Sequence, residues 1–345
     1  MTALGGKPSS GNNFECGAGC GTVFQLDPGS GDYTVIHEFG GAGGEYPVGG
    51  LIRDQQGHLY GATGIGGTFQ QGTVFGLDAA GNETFLHSFS EDGDGYRPMS
   101  GLVGDEERNL YGTTAWGSSP GCQAGCGVVF EISSSGEYTV LHSFAGPPND
   151  GGNSYAPLFR DKLGNLYGTT VFGGSSNNGT VFKVSPEGTE IVLHSFTGAD
   201  GSQPSSGLTT DESGNLYGVT SSGGSGGYGV VFELDSSRRL TVLYSFTGKQ
   251  DGGSPAGKLF LDERTGNLFG TAFGGGIAGL TCPPGGCGAI FEVSPSGKEK
   301  VLYYFQGSDG AEPYTGVIGR CEPHGELDLF GTTQDDLSGT TSQVI

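Results

Sequence analysis

Positive charge, tryptophan and methionine are scarce in this chain: 15 Lys and Arg stand against 37 Asp and Glu, with one tryptophan and two methionines in 345 residues. The resulting formal net charge of −22 repels phosphate backbones and anionic lipid, which argues against nucleic acid as a partner. No apolar run reaches membrane-spanning length, so no membrane insertion is expected. The opening MTALGGKPSSGNNFECG lacks a basic segment followed by an apolar one, so it is not read as a signal peptide, and an exported chain is expected here in processed form. Apolar periodicity of the helical kind never outlasts a turn. Serine-nucleophile elbows, phosphate loops and HExxH-type metal motifs are missing as well.

Glycine, by contrast, is abundant, with 72 residues. It follows no three-residue period, which excludes collagen, and it separates short apolar runs rich in Val, Tyr, Phe and Leu. Those runs repeat. Gly-Thr-Val-Phe or a close variant begins at Gly21, Gly72, Gly127, Gly179, Gly229 and Gly288, in steps of 51, 55, 52, 50 and 59 residues. A Leu-Tyr-Gly-Thr-Thr element has its aromatic at Tyr60, Tyr111, Tyr167, Tyr217, Phe269 and Phe330. A Leu-His-Ser-Phe element ends at Phe39, Phe89, Phe144, Phe196, Phe246 and Phe305. A proline opens the fourth element, at Pro47, Pro98, Pro157, Pro204, Pro255 and Pro313. Four short strands in a unit of about 50 residues, repeated six times, predict an all-β fold, a six-bladed β-propeller with four-stranded blades.

The order Pro-x-x-Gly-Leu, Gly-Asn-Leu-Tyr-Gly-Thr-Thr, Gly-Thr-Val-Phe, Thr-Val-Leu-His-Ser-Phe resembles the NHL type of propeller repeat. It more closely resembles the glycine-rich GloVer tandem repeat of bacterial surface proteins with varied anchoring signals, from Gly21 to Thr333. That resemblance implies a propeller and export to the outside of the cell or its surface, and carries no catalytic residues with it. By the same likeness the proline element is the innermost strand A, and the others are B, C and D. One domain is then expected over 1–345, with complete blades at about 47–89, 98–144, 157–196, 204–246 and 255–305. Strands C and D of 21–39 would join strands A and B of 314–333 in a closing blade, which removes exposed sheet edges. Residues 339–345 faintly echo strand C, and leave a longer array as the alternative.

Repeated residues are read as scaffold. His37, His87, His142 and His194 share one strand D position that Tyr244 and Tyr303 fill later; a ring holds them apart, so a structural hydrogen bond to a neighbouring blade is expected. Asp54, Asp105, Asp161, Asp211 and Asp262 are expected to accept turn backbone hydrogens. Asp94, Asp200, Asp251 and Asp309 in Asp-Gly-x-x-Pro are expected to cap the D–A turn. No cofactor and no metal ligand is assigned, with calcium left open at those loops. Cys16 with Cys20, Cys122 with Cys126 and Cys282 with Cys287 lie just before strand C of three repeats, and short intraloop disulfides are expected, in keeping with an oxidising compartment. Cys321 is left over.

A ligand is expected where the repeats differ from one another, on the D–A and B–C loops. Tyr46, Trp116, Asn153, Tyr155, Phe172, Gln203, Tyr228 and Phe273 combine aromatic faces with polar groups, which suits a neutral polysaccharide or oligosaccharide. The first expectation is therefore an extracellular, monomeric carbohydrate-binding or adhesion module. The enzymatic alternatives use Glu45 and Glu312 as a glycoside-hydrolase pair, or Arg97 and Tyr96 as the uronate clamp and base of a polysaccharide lyase. A structural module that holds another protein is the third reading. His324 is placed on the opposite face and set aside.

Overall fold

The structure, a computed structural model, describes residues 19–27, 29–40, 43–119, 121–276, 282, 285–321 and 326–333. Cys16, His324 and the segment 339–345 lie outside the described residues. Regular structure among the described residues is all β.

The chain begins with a two-stranded sheet of β1 (Thr22–Leu26) and β2 (Tyr33–Glu38). A meander of β3 (Glu45–Arg53), β4 (Leu59–Ile65), β5 (Thr73–Leu77) and β6 (Glu83–Ser88) follows, paired in that order. The next sheet runs through β7 (Val103–Gly104), β8 (Leu110–Thr113), β9 (Val128–Ile132) and β10 (Tyr138–Ser143). After the short β11 (Gly151–Gly152) come β12 (Phe159–Arg160), β13 (Leu166–Thr170), the short β14 (Phe172–Gly173), β15 (Thr180–Val184) and β16 (Glu190–Ser195). There the sheet order is β12-β13-β15-β16. Two further four-stranded meanders are β17 (Thr209–Thr210), β18 (Leu216–Thr220), β19 (Val230–Leu234) and β20 (Leu240–Ser245), and then β21 (Gly253–Asp262), β22 (Asn267–Gly274), β23 (Ala289–Val293) and β24 (Glu299–Tyr304). β25 (Ile318–Cys321) pairs with β26 (Leu327–Phe330). The multiple antiparallel sheets of two to four strands match the expected A, B, C, D order.

The chain divides into two compact units, the first made of Met1–Gly146, Asp150–Tyr167 and Lys183–Ile191, the second of Pro147–Asn149, Gly168–Phe182 and Val192–Ile345. The same packing recurs inside each. In the first, Phe39 of the D element meets Phe75 of β5 edge-on at 5.0 Å, and Phe89 meets Phe130 of β9 at 5.4 Å. In the second, Phe196 meets Phe232 at 5.3 Å and Phe246 meets Phe291 at 5.0 Å. Edge-to-face pairs of buried rings add about 0.5–1.5 kcal/mol each beyond their area. The glycine of Leu-Tyr-Gly makes this possible within its own sheet: a Cβ on Gly112 would lie 2.5 Å from Phe130 Cζ. The room it leaves is for the ring of the next strand.

Two repeated polar devices close the turns. Asp54, Asp161 and Asp211 accept backbone N–H groups of the A–B turn through Oδ1, as expected. Their Oδ2 atoms accept the phenols of Tyr60, Tyr167 and Tyr217 at 3.2, 3.1 and 3.0 Å. The acceptor six residues upstream gives each of these tyrosines a polar anchor. In the D–A turn, Asp94, Asp150 and Asp200 bind His87, His142 and His194 at 2.9, 3.1 and 3.0 Å. Tyr244 donates to Asp251 at 3.0 Å, and Tyr303 to Asp309. These three histidines therefore bond within their own D–A segment rather than to a neighbouring repeat, whereas His37 faces Glu83 of the next repeat at 3.6 Å. Tyrosine replaces it because Nε2 and a phenol can present a hydrogen to the same carboxylate.

Candidate functional site

One backbone feature recurs at the head of strand A. Tyr46, Arg97 and Asn153 in the first unit have φ of 62°, 55° and 59°; Gln203, Ser254 and Glu312 in the second have 57°, 49° and 54°. Left-handed φ is uncommon outside glycine and is held only when the surroundings enforce it. The enforcing contact is the same each time: the amide donates to the carbonyl of the residue before the strand C glycine. The acceptors are Cys20, Gln71 and Cys126 in the first unit, and Asn178, Tyr228 and Cys287 in the second. Side chain chemistry is free to differ because the backbone does the holding. This geometry also corrects the register of one repeat. Asn153 takes the left-handed position, so Ser154 stands where the other repeats carry proline, and Pro157 falls outside the repeated element.

In the first unit this loop region closes on itself. Tyr96 and Trp116 form an antiparallel bridge, with their rings edge-on at 5.9 Å. The Arg97 guanidinium lies over the indole at 5.0 Å, a cation–π contact. The Tyr96 hydroxyl donates to the Ala124 carbonyl at 3.0 Å, and the buried Asn153 amide donates to the Ala115 carbonyl at 2.7 Å. The Cys122–Cys126 disulfide sits at the base of the loop, where a Cβ on Gly152 would meet Cys122 Sγ at 2.8 Å. Tyr46 is exposed, Tyr155 is half-buried, and Glu45 has a buried Oε1 without a hydrogen-bond partner.

In the second unit the corresponding region is open. A pocket of about 510 Å³ is bounded by the rings of Tyr228 and Phe273, with Ser254 and Lys249 at its edge and glycines making up the rest of the lining. Tyr228 is 50% exposed. It lies flat against the chain at Gly248, where a Cβ would sit 2.5 Å from the ring and φ is +72°. Phe273 meets the exposed Tyr314 edge-on at 6.0 Å. The Cys282–Cys287 disulfide closes the loop that supplies Gly285 and Gly286. Phe172 is exposed elsewhere in this unit, and Gln203 accepts a hydrogen bond from Ser222 at 3.3 Å. Of the expected ligand residues, Tyr228 and Phe273 are brought together in this pocket. Lys249, Ser254 and Tyr314 were missed, although Ser254 shares the position of Tyr46, Arg97, Gln203 and Glu312 in the repeat.

The Gloeobacter/Verrucomicrobia repeat model matches residues 6–212 and 109–345. The chain belongs to the Gloeobacter/Verrucomicrobia repeat family. No curated protein matches it by sequence. Solved structures share its fold at low identity. One from Bacteroides uniformis, assigned as a 6-phosphogluconolactonase, is 14% identical with a TM-score of 0.55, over 93% of this chain and 89% of that one. The periplasmic gluconolactonase of Pseudomonas aeruginosa is 16% identical with a TM-score of 0.51, over 94% and 90%.

Within this Gloeobacter/Verrucomicrobia repeat, the first residue of strand D carries a second acid. Glu83, Glu190 and Glu299 each have one buried carboxylate oxygen without a hydrogen-bond partner, and burial pushes each of them up to about 7. Glu83 lies 3.6 Å from His37. Glu190 joins His142 and Asp150 in a group whose ligand atoms all lie within 4.8 Å of one another, a set with the capacity to hold a divalent ion. No reading of linear spacing finds this group, because Glu190 comes from the strand D of the following repeat.

Proposed function

We propose that the chain forms a six-bladed propeller for an extracytoplasmic compartment and acts on a small ring-shaped carbohydrate at the Tyr228–Phe273 pocket, with hydrolysis of a sugar lactone as the reaction. The open pocket carries the reading. Two aromatic rings face a glycine-lined space of about 510 Å³, which accepts the flat C–H face of a pyranose or its lactone. Lactone hydrolysis adds water to the ring carbonyl, breaks the ring C–O bond and places a proton on the departing oxygen. The product is an aldonate, and Lys249 offers its carboxylate a cation at the pocket edge. The lactonase assignments of two structures of the same fold support this reaction class, by analogy of fold. The proposed ring closure is supported by complementary chain ends: β1 and β2 correspond to strands C and D, and β25 and β26 to strands A and B. The Cys122–Cys126 and Cys282–Cys287 disulfides support an oxidising location.

Recognition without turnover is the second reading. One observation favours it: among the described residues, the pocket lining holds no carboxylate and no imidazole. Glu45, Glu312, Arg97 and Tyr96, on which glycoside hydrolysis or elimination would depend, do not line this pocket.

A panel of aldonolactones and neutral oligosaccharides separates the two. Proton release on a pH-stat, above the spontaneous rate and lost in Tyr228→Ala, is expected for the hydrolase. Saccharide binding by calorimetry without proton release would give the recognition module, and neither signal would overturn the carbohydrate reading.

A further inference from the structure

We propose that His142, Asp150 and Glu190 form a binding site for one first-row divalent cation, with Zn2+ as the ion whose chemistry fits best. His142 Nε2 and Asp150 Oδ2 are 3.1 Å apart, and the Glu190 oxygen completes a set within 4.8 Å. Zinc bonds of about 2.0–2.1 Å to nitrogen and oxygen place neighbouring ligands about 3.3 Å apart in a tetrahedron, so the His–Asp edge is already near length. A rotation of the glutamate side chain brings in the third ligand and leaves one position for water.

Two further observations point to a ligand. Glu190 Oε1 is buried and has no hydrogen-bond partner, and an orphan of that kind is costly unless something else satisfies it. Asp150 is only 8% exposed and is held in place by the Ala145 amide on Oδ2 at 2.7 Å and the Gly151 amide on Oδ1 at 2.6 Å, so the Oδ2 lone pair that faces His142 Nε2 is aimed rather than mobile. One imidazole nitrogen with two carboxylates suits zinc and its first-row neighbours. It does not suit calcium, which takes oxygen ligands in larger number.

The repeats provide an internal comparison. His87 and Asp94 face the stacked ring of Tyr138, at 3.8 Å from His87. His194 and Asp200 have Leu240 at the corresponding strand start. Tyr244 and Asp251 stand beside Glu299, with a phenol in place of the imidazole. His37 has Glu83, but the sequence from Phe39 to Gly44 contains no aspartate. Among the described residues, all three ligand types coincide at one repeat alone. The phenol at 244 also shows that His142→Tyr preserves the hydrogen bond to the aspartate while it removes the nitrogen ligand.

The test uses the full chain, stripped with chelator and desalted, and titrated with Zn2+ against a chromophoric zinc indicator. One ion per chain is expected. His142→Tyr and Glu190→Leu should each weaken binding at least tenfold without loss of the folded circular-dichroism spectrum. Tyr244→His should raise the stoichiometry to two, because it completes the same three positions with Asp251 and Glu299. No binding by the wild type, full binding by His142→Tyr, a stoichiometry of one in Tyr244→His, or a site that takes Ca2+ in preference to Zn2+ would each overturn the proposal.

Discussion

The two loop regions built on the left-handed strand A residue have opposite outcomes. In the first unit Arg97, Trp116, Tyr96 and Asn153 consume one another: the guanidinium covers the indole, and the phenol and amide end on backbone carbonyls. In the second unit Ser254 occupies the same position with a side chain too short to reach across, and Gly274, Gly275, Gly276, Gly285 and Gly286 add no side chains to fill the space. The same backbone frame therefore gives a self-closed cluster where side chains are long and a pocket where they are short. Side chain size, not loop topology, decides which of the two can admit a ligand.

That contrast predicts where damage falls. Trp116→Ala should cost about 3 kcal/mol of stability, since it removes a packed ring and its cation–π partner, and should leave saccharide affinity within about twofold. Denaturant unfolding beside calorimetry checks both halves; a large affinity loss with unchanged stability would reverse the assignment of the two regions. Selective removal of the Cys122–Cys126 disulfide, by a double serine substitution, should cost about 2 kcal/mol, the loop-entropy expectation for so short a closure. Tyr228→Ala should leave the unfolding midpoint nearly unchanged and weaken saccharide binding about fivefold, the equivalent of about 1 kcal/mol for one aromatic face. Gly248→Ala sharpens the point: its Cβ strikes the Tyr228 ring, so binding should fall in the same direction although the aromatic itself is retained.

A smaller effect is expected from pH. Burial raises Glu83 and Glu299 from an ordinary 4.5 to about 7, so between those values the native state holds protons that the unfolded state has released. Their contribution is full below about 4.5 and is lost as pH rises through 7. Asp200 and Asp251 run the other way: hydrogen bonds to Thr197 and Thr247 outweigh desolvation and hold them below 3.8, and their contribution is lost as pH falls through that depressed range. Maximum stability is therefore expected in weak acid, and a double Glu83→Gln, Glu299→Gln variant should flatten the fall between pH 5 and 7 in thermal melts. An unchanged slope in that variant would place the titration elsewhere.

Much of the scaffold was legible because it is local. Alternation of short β-branched runs with glycine turns marks the strands, and an aspartate four residues before an asparagine and six before a tyrosine marks the A–B turns at Asp105, Asp161 and Asp211. Cysteines at one repeat position announce the Cys122–Cys126 and Cys282–Cys287 disulfides. The site was less legible. Tyr228 and Phe273 stand out as loop aromatics, but so do Trp116 and Phe172, and no linear feature separates an aromatic that lids a core from one that borders a cavity. Pro157 obscures the register of its repeat, because a proline in nearly the right place outweighs a single asparagine in the right one. Glu190 escaped notice because its partners His142 and Asp150 lie in the preceding repeat.

What the sequence by itself determined is the unit: four strands, their order, the turn carboxylates and the glycine that admits the strand C phenylalanine. These follow from backbone sterics and from contacts within about 50 residues, which repetition prints six times. What only the tertiary structure decided is how the exceptions combine: which loop closes and which stays open, and which acid of one repeat meets the histidine of the one before. Those outcomes depend on the distance between side chains on different strands, a quantity that packing sets and that no spacing along the chain encodes.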